Sequence, residues 1–217
     1  NLHKMITLLM TKGLEFENKS LESKYENFSR TREIANRFAN EFNLPKSVYQ
    51  KISYVTGSLP EMTIGDGNCG VYSIHEHAYK DEHDRWTCSK GDNLDIRGRI
   101  KDALYANAYL LFDSIRILDD GEMLQLAYEQ YNHFANYVEN DTVWLELVCF
   151  HALSIAEERR ILIVTFDSSL TFKLIDRERL YLWSPKDNTE NLKYLIENDK
   201  KLKIVYHTGM HFSRMPR

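Results

Sequence analysis

Cys69 follows a run of small and polar residues, Gly65-Asp66-Gly67-Asn68, and leads into an apolar segment, Val71 to Ala78. That setting can turn a thiol into a nucleophile. The thiolate is the attacking species, and a helix N-terminus favours it through the helix dipole and unpaired backbone N–H groups. The pattern therefore predicts a turn followed by a helix over Val71 to Ala78, with the sulfur at its head. Gly65 and Gly67 let the backbone turn tightly and aim N–H groups at one spot, as an oxyanion hole requires. A structural thiol is the competing reading, but a glycine-rich polar turn is a poor place to bury one.

A thiol nucleophile needs a histidine that is distant in sequence and near in space. Of eight histidines, His211 stands out, with Gly209 before it and Phe212 after it in a late segment that reads as a strand. His207 competes but lacks those flanking residues. Cysteine on an early helix and histidine on a late strand is the layout of papain-like thiol proteases. The ring needs a further group on its other nitrogen, to fix the tautomer and steady the imidazolium. Of the remaining cysteines, Cys149 falls on an apolar helical face and reads as core, while Cys88 reads as incidental in a polar loop. A zinc site from Cys88 with His75, His77 or His83 fits no common ligand spacing. Those three histidines read as surface residues.

The elements that must position these groups follow from periodicity. Residues 1–60 read as a helical extension, with Leu21, Tyr25, Phe28, Phe38 and Phe42 near one face, a stop at Leu44-Pro45, and a short segment from Ser47 to Val55. Asp81 to Asn93 reads as a loop. Ile96, Ile100, Leu104, Ala108, Leu111 and Ile115 recur at helical spacing, as do Met123, Leu126, Ala127 and Phe134 after the Asp119-Asp120-Gly121 turn. A third helix is expected from Asp141, as N-cap, with Leu145, Val148, Cys149, Ala152 and Ile155 inward. Trp144 reads as core.

Beyond Arg159-Arg160 the pattern changes. Ile161 to Phe166 reads as a buried strand, Leu170 to Ile175 as a half-buried one, and Leu180 to Trp183 as another. Asn188 to Asn198 reads as a surface helix. Leu202 to Tyr206 and His211 to Met215 read as two strands joined across Gly209. The expected fold class is α+β, a small sheet packed between helices.

Composition bounds the function. The chain has 217 residues, 43% hydrophobic, enough for one sizeable core. A net charge of −4 is not the electrostatic footprint of a nucleic-acid binder. Three cysteines without framework spacing favour a reducing compartment, so a cytoplasmic location is expected. No apolar run approaches the ~20 residues of a membrane span. The chain begins at Asn1 and ends on Met215-Pro216-Arg217, and reads as a piece of a longer protein.

Taken together, three blocks resemble the ovarian-tumour (OTU) family of cysteine proteases. Gly65-Asp66-Gly67-Asn68-Cys69 is similar to that family's signature around the nucleophile. Val143-Trp144-Leu145-Glu146-Leu147, through His151-Ala152-Leu153-Ser154 into Ile161 to Phe166, resembles its helix-then-strand core. Ile204-Val205-Tyr206 with Gly209-Met210-His211-Phe212 resembles the strand and turn that deliver its histidine. The resemblance spans residues 63–215, which would make 61–217 the catalytic domain, with extra helical surface.

The resemblance implies a deubiquitinase without metal or organic cofactor, Cys69 as nucleophile, His211 as base, and Asp66 in the loop that shapes the oxyanion hole. Many members carry Asp or Asn two positions after the histidine to orient it. Here Ser213 stands there, which leaves either a weak orienter or a different one. Ubiquitin or polyubiquitin is the implied partner, and the aromatic-rich residues 105–137 read either as plain helical core or as a docking surface for it. A catalytically weak ubiquitin-binding module and a thiol protease for another ubiquitin-like modifier are the alternatives. The polar Asn- and Lys-bearing helices and the changed triad position resemble OTU domains of intracellular bacterial pathogens. Such domains are parts of secreted effectors, and the host cytosol would then be the working compartment.

Overall fold

A computed structural model describes residues 44–108, 110–111, 128–177, 179–184, 188–208 and 211–217. In chain order its elements are α1 (Lys46–Thr56), α2 (Cys69–Ile74), β1 (Tyr79–Lys80), β2 (Trp86–Thr87), α3 (Lys90–Ala106), α4 (Tyr128–Val138), α5 (Leu147–Ala156), β3 (Arg160–Phe166), β4 (Leu170–Asp176), β5 (Arg179–Trp183), α6 (Glu190–Asn198), β6 (Lys203–Thr208) and β7 (His211–Met215).

Five strands form one sheet in the order β5-β4-β3-β6-β7, antiparallel except for the parallel pair β3 and β6. Its centre is the β-branched run of β3, where Ile161, Leu162, Ile163 and Val164 are all fully buried. Consecutive burial means cover on both faces. Ile161 and Ile163 belong to one buried cluster with residues of α2, α3, α4 and α5, whereas Leu162 and Val164 belong to another with residues of α1 and α6. The fold is α+β with a small sheet between helical layers, as the sequence pattern predicts.

Within the stretch read as an extension, α1 turns Val48, Tyr49, Ile52 and Val55 into the second of these cores. The helical reading of residues 1–43 lies outside the described residues, as do Ile115, Met123, Leu126, Ala127 and Gly209.

Several local expectations are corrected. Residues 81–93 are no single loop. The β1–β2 hairpin occupies part of the stretch, and α3 begins at Lys90, capped by Ser89 Oγ accepting from the Asp92 N–H. The helix that carries Cys149 starts at Leu147, not at Asp141. Thr142 has a positive φ of 66°, which breaks helical continuity there, and the Asp141 carboxylate is spent elsewhere. Trp144 is not core: it is 52% exposed. Cys88 is buried in the helical-face core rather than sitting in a polar loop, and His75 is buried as well. Cys149 is fully buried, as its place on an apolar face implies.

Candidate active site

Cys69 is the first residue of α2, whose short span packs against β7. Strand geometry explains the approach. The N–H and C=O of a residue point to the same side, so Phe212 and Arg214 share one edge of β7. That edge faces away from β6. Arg214 exchanges both backbone hydrogen bonds with Glu61, at 2.7 and 3.0 Å. The Phe212 carbonyl accepts from Thr63 Oγ1 at 2.5 Å, and the Phe212 backbone is among the groups that lower the Cys69 thiol. The nucleophile candidate is thus influenced by the residue that follows His211.

The turn ahead of Cys69 is held from three directions. Gly67 has φ of +94°, and a Cβ there would lie 2.2 Å from the Thr142 carbonyl oxygen, so only glycine fits. Asp66 Oδ1 accepts from the Asn68 N–H at 2.9 Å and its Oδ2 from the Tyr72 hydroxyl at 2.8 Å. Asp66 therefore ties the turn to α2, and burial followed by this bond pushes the Tyr72 phenol up to about 12. A Cβ built on Gly65 would stand 4.0 Å from His211 Cε1. The turn and the imidazole are neighbours.

The far end of α2 is fixed by Arg214. Its Nη1 donates to the carbonyls of Tyr72 at 3.2 Å and His75 at 2.6 Å, and its guanidinium lies 4.6 Å from the centre of the Trp86 ring. A cation at the C-terminal end of a helix is favourable with the dipole as well as with the free carbonyls. One strand thus carries both His211 and the side chain that anchors the cysteine helix.

Thr63 is the residue that sequence reasoning missed. Its Oγ1 lies 3.0 Å from His211 Nε2, and Thr63 is 1% exposed. The hydroxyl hydrogen is committed to the Phe212 carbonyl. Towards the ring it has only lone pairs, so Nε2–H donates and Nδ1 is left as the basic nitrogen. Ser213 does not take this place. It is fully buried, its Oγ has no hydrogen-bond partner among the described residues, and it stands opposite Tyr206 across the β6–β7 ladder. Tyr206 belongs to the core on the α1 and α6 side, so the short serine side chain is spent on that face. His207 lies on β6 with its ring stacked 4.4 Å from that of Phe212.

Burial pushes the Cys69 thiol up. The backbone N–H groups of Phe212 and Gly70 pull it back, and the Asp66 charge adds to the rise. Burial also pushes the His211 imidazole down. Both directions favour the neutral thiol and the neutral imidazole at rest. Chemically, the site offers a thiol with backbone N–H groups around it, on a helix that packs against the strand carrying the imidazole. Among the described residues no three His, Cys, Asp or Glu side chains gather as a metal-holding group. Nor is any described helix long and apolar enough to cross a membrane.

Known folds resemble this one. The chain is similar to OTU deubiquitinases of known structure. An OTU deubiquitinase from Wolbachia pipientis wMel matches with a TM-score of 0.47 and 12% identity, over 73% of this chain and 88% of that one. An OTU deubiquitinase from Wolbachia pipientis wMel bound to ubiquitin matches with a TM-score of 0.49 and 11% identity, over 73% and 95%. The OTU domain of OTUD1 matches with a TM-score of 0.44 and 11% identity, over 77% and 91%. No family model matches the chain, and no curated protein matches it by sequence. Of the four positions singled out for an OTU-type site, Cys69, Asp66 and His211 lie about one turn and the start of β7. Ser213 Oγ bonds to none of them. Thr63 gave no spacing signal, standing 148 positions from the ring it touches.

Proposed function

We propose that this chain is a thiol-dependent hydrolase of isopeptide bonds at the C-terminus of ubiquitin, with Cys69 as nucleophile, His211 as base and Thr63 as the group that orients the ring. One observation carries the chemistry: Cys69 heads a helix that packs against β7, while the His211 ring on that strand is held by Thr63 and lies against the turn ahead of Cys69. The choice of ubiquitin rests on the resemblance of the three sequence blocks.

In this reading His211 Nδ1 takes the Cys69 proton as the sulfur attacks the carbonyl carbon of the terminal glycine. A neutral resting pair means that proton transfer accompanies attack rather than preceding it. Backbone N–H groups of the turn hold the oxyanion, and Asp66 keeps that turn in shape through Asn68 and Tyr72. The C–N bond breaks as the lysine amine leaves with the proton from His211. Water, deprotonated by the same ring, then cleaves the thioester and frees Cys69.

The burial that keeps Cys69 protonated also favours a second reading, a ubiquitin-binding module without turnover. Incubation with a ubiquitin bearing a C-terminal electrophile separates the two. A mass gain of one ubiquitin, lost in Cys69→Ala, is expected. A folded wild-type protein that binds ubiquitin and forms no adduct supports the module instead.

A further inference from the structure

Behind the nucleophile turn stands a fully buried arginine, Arg97 of α3. A guanidinium out of water is costly unless its donors are matched. Here Nε donates to Asn93 Oδ1 at 3.0 Å, Nη1 to the Val138 carbonyl at 2.9 Å, and Nη2 to Asn68 Oδ1 at 2.8 Å and the Val143 carbonyl at 2.6 Å. None of these acceptors is a carboxylate. The counter-charge is one amide removed: Asp141 Oδ1 accepts from Asn68 Nδ2 at 3.0 Å, Asn93 Nδ2 at 2.7 Å and the Thr142 N–H at 3.0 Å.

Both ends of the Asn68 side chain are consumed by this network. Its Oδ1 also receives the Thr142 N–H at 3.0 Å and Asn93 Nδ2 at 3.2 Å. Asn68 is the residue directly before Cys69. For stability alone, an apolar side chain of similar volume serves such a site as well as a buried ion does. A rigid planar fork does something else: it fixes several acceptors at set angles. Here they come from three segments, namely the nucleophile turn, α3 and the stretch 138–143. The close approach of Gly67 to the Thr142 carbonyl is the packing that this fork maintains.

We propose that Arg97 is a positioning residue for the thiol chemistry, acting through the Asn68 amide to keep Cys69 and its surrounding N–H groups in register with His211. The inference rests on the reading of Cys69 as the nucleophile, and adds a residue that touches neither sulfur nor substrate.

Two variants isolate the link. Arg97→Lys keeps the charge and loses the fork. Asn68→Ala cuts the connection to Cys69 and leaves Arg97 its other three acceptors. The readout is alkylation of the Cys69 peptide by iodoacetamide, followed by mass, as the ratio of the rate at neutral pH to the same variant's rate at alkaline pH. This ratio cancels changes in access and reports assistance by His211. Thermal melting of each variant accompanies it. Each single variant should lose about tenfold or more of the wild-type ratio, approaching His211→Ala. The double variant should fall no further than the worse single one, because both act on one connection.

Additive losses, or a wild-type ratio in Arg97→Lys, overturn the proposal. Should Arg97→Lys not fold, Asn68→Ala carries the test, and a wild-type ratio there overturns it equally. If His211→Ala leaves the wild-type ratio unchanged, the reading of the Cys69–His211 pair fails first and takes this inference with it.

Discussion

Thr63 Oγ1 lies 3.0 Å from His211 Nε2 and gives its own hydrogen to the carbonyl of Phe212, the next residue in the strand. A hydroxyl so placed directs the ring without lending it charge. A bond to an imidazolium is worth about 1.5–3 kcal/mol, so Thr63→Val, which keeps the shape and removes the acceptor, should lower kcat about tenfold to a hundredfold. KM should stay near wild type, since the hydroxyl is buried and faces the ring. Thr63→Ser should recover most of the rate. Unchanged kcat in Thr63→Val would remove the threonine from the mechanism.

Ser213 gives the complementary test. Its hydroxyl is buried without a partner among the described residues, so Ser213→Ala should leave kcat/KM within about twofold and melting unchanged or slightly higher. Ser213→Asp puts a carboxylate where no water reaches, and should cost several kcal/mol by desolvation. A rise in activity for Ser213→Asp with normal melting would return the orienting role to this position.

The helix headed by Cys69, the strand that begins at His211 and the rest of the sheet were legible because their signals are local. The glycine turn before Cys69, the continuous apolar run of β3 and the alternation in β4 each declare themselves within a few residues. Thr63, Arg97 and Arg214 were not legible for the opposite reason. Each acts across contacts of long sequence separation, such as Arg97 to Val143 and Arg214 to Tyr72, and nothing near them marks the partner. Asp141 was misread as a helix N-cap. Helical spacing was extended back from α5 across Thr142, whose positive φ ends any helix there. Ser213 was placed by its offset from His211, yet its side chain is spent beneath the sheet, opposite Tyr206.

Gly67 and Gly65 predict different costs for the same substitution. At Gly67 a methyl group would meet the Thr142 carbonyl at 2.2 Å, with φ at +94°. Gly67→Ala should therefore cost more than about 1 kcal/mol, a fall in Tm of several degrees for a chain of this size, and most of the activity. At Gly65 the methyl group would have ordinary contact with His211 Cε1 at 4.0 Å. Gly65→Ala should melt within a degree or two of wild type. Equal melting temperatures for the two variants would show that the turn is not pressed against Thr142.

The pH dependence follows from burial. Desolvation pushes His75, His151 and His211 below the usual histidine value of 6.5. Between each folded value and 6.5 the unfolded chain holds more protons than the native one, so stability rises with pH across that window. The penalty is complete below the folded values and absent above the unfolded one. Melting temperature should therefore drop as pH falls below about 6.5, earlier than carboxylate titration alone would bring it. The same shift sets the kinetics. His211 must be neutral to accept the Cys69 proton, so the acid limb of kcat/KM should have its midpoint below the ordinary imidazole value. Above it a plateau is expected, because burial holds the Cys69 thiol above its ordinary 9.0 and no separate thiol ionisation intervenes near neutrality. Measuring kcat/KM from about pH 4.5 to 8.5 decides it. A fall in kcat/KM on the alkaline side would mean that His211 is charged at rest, opposite a thiolate, and that proton transfer precedes attack. An acid midpoint well above 6.5 would mean instead that burial does not lower His211.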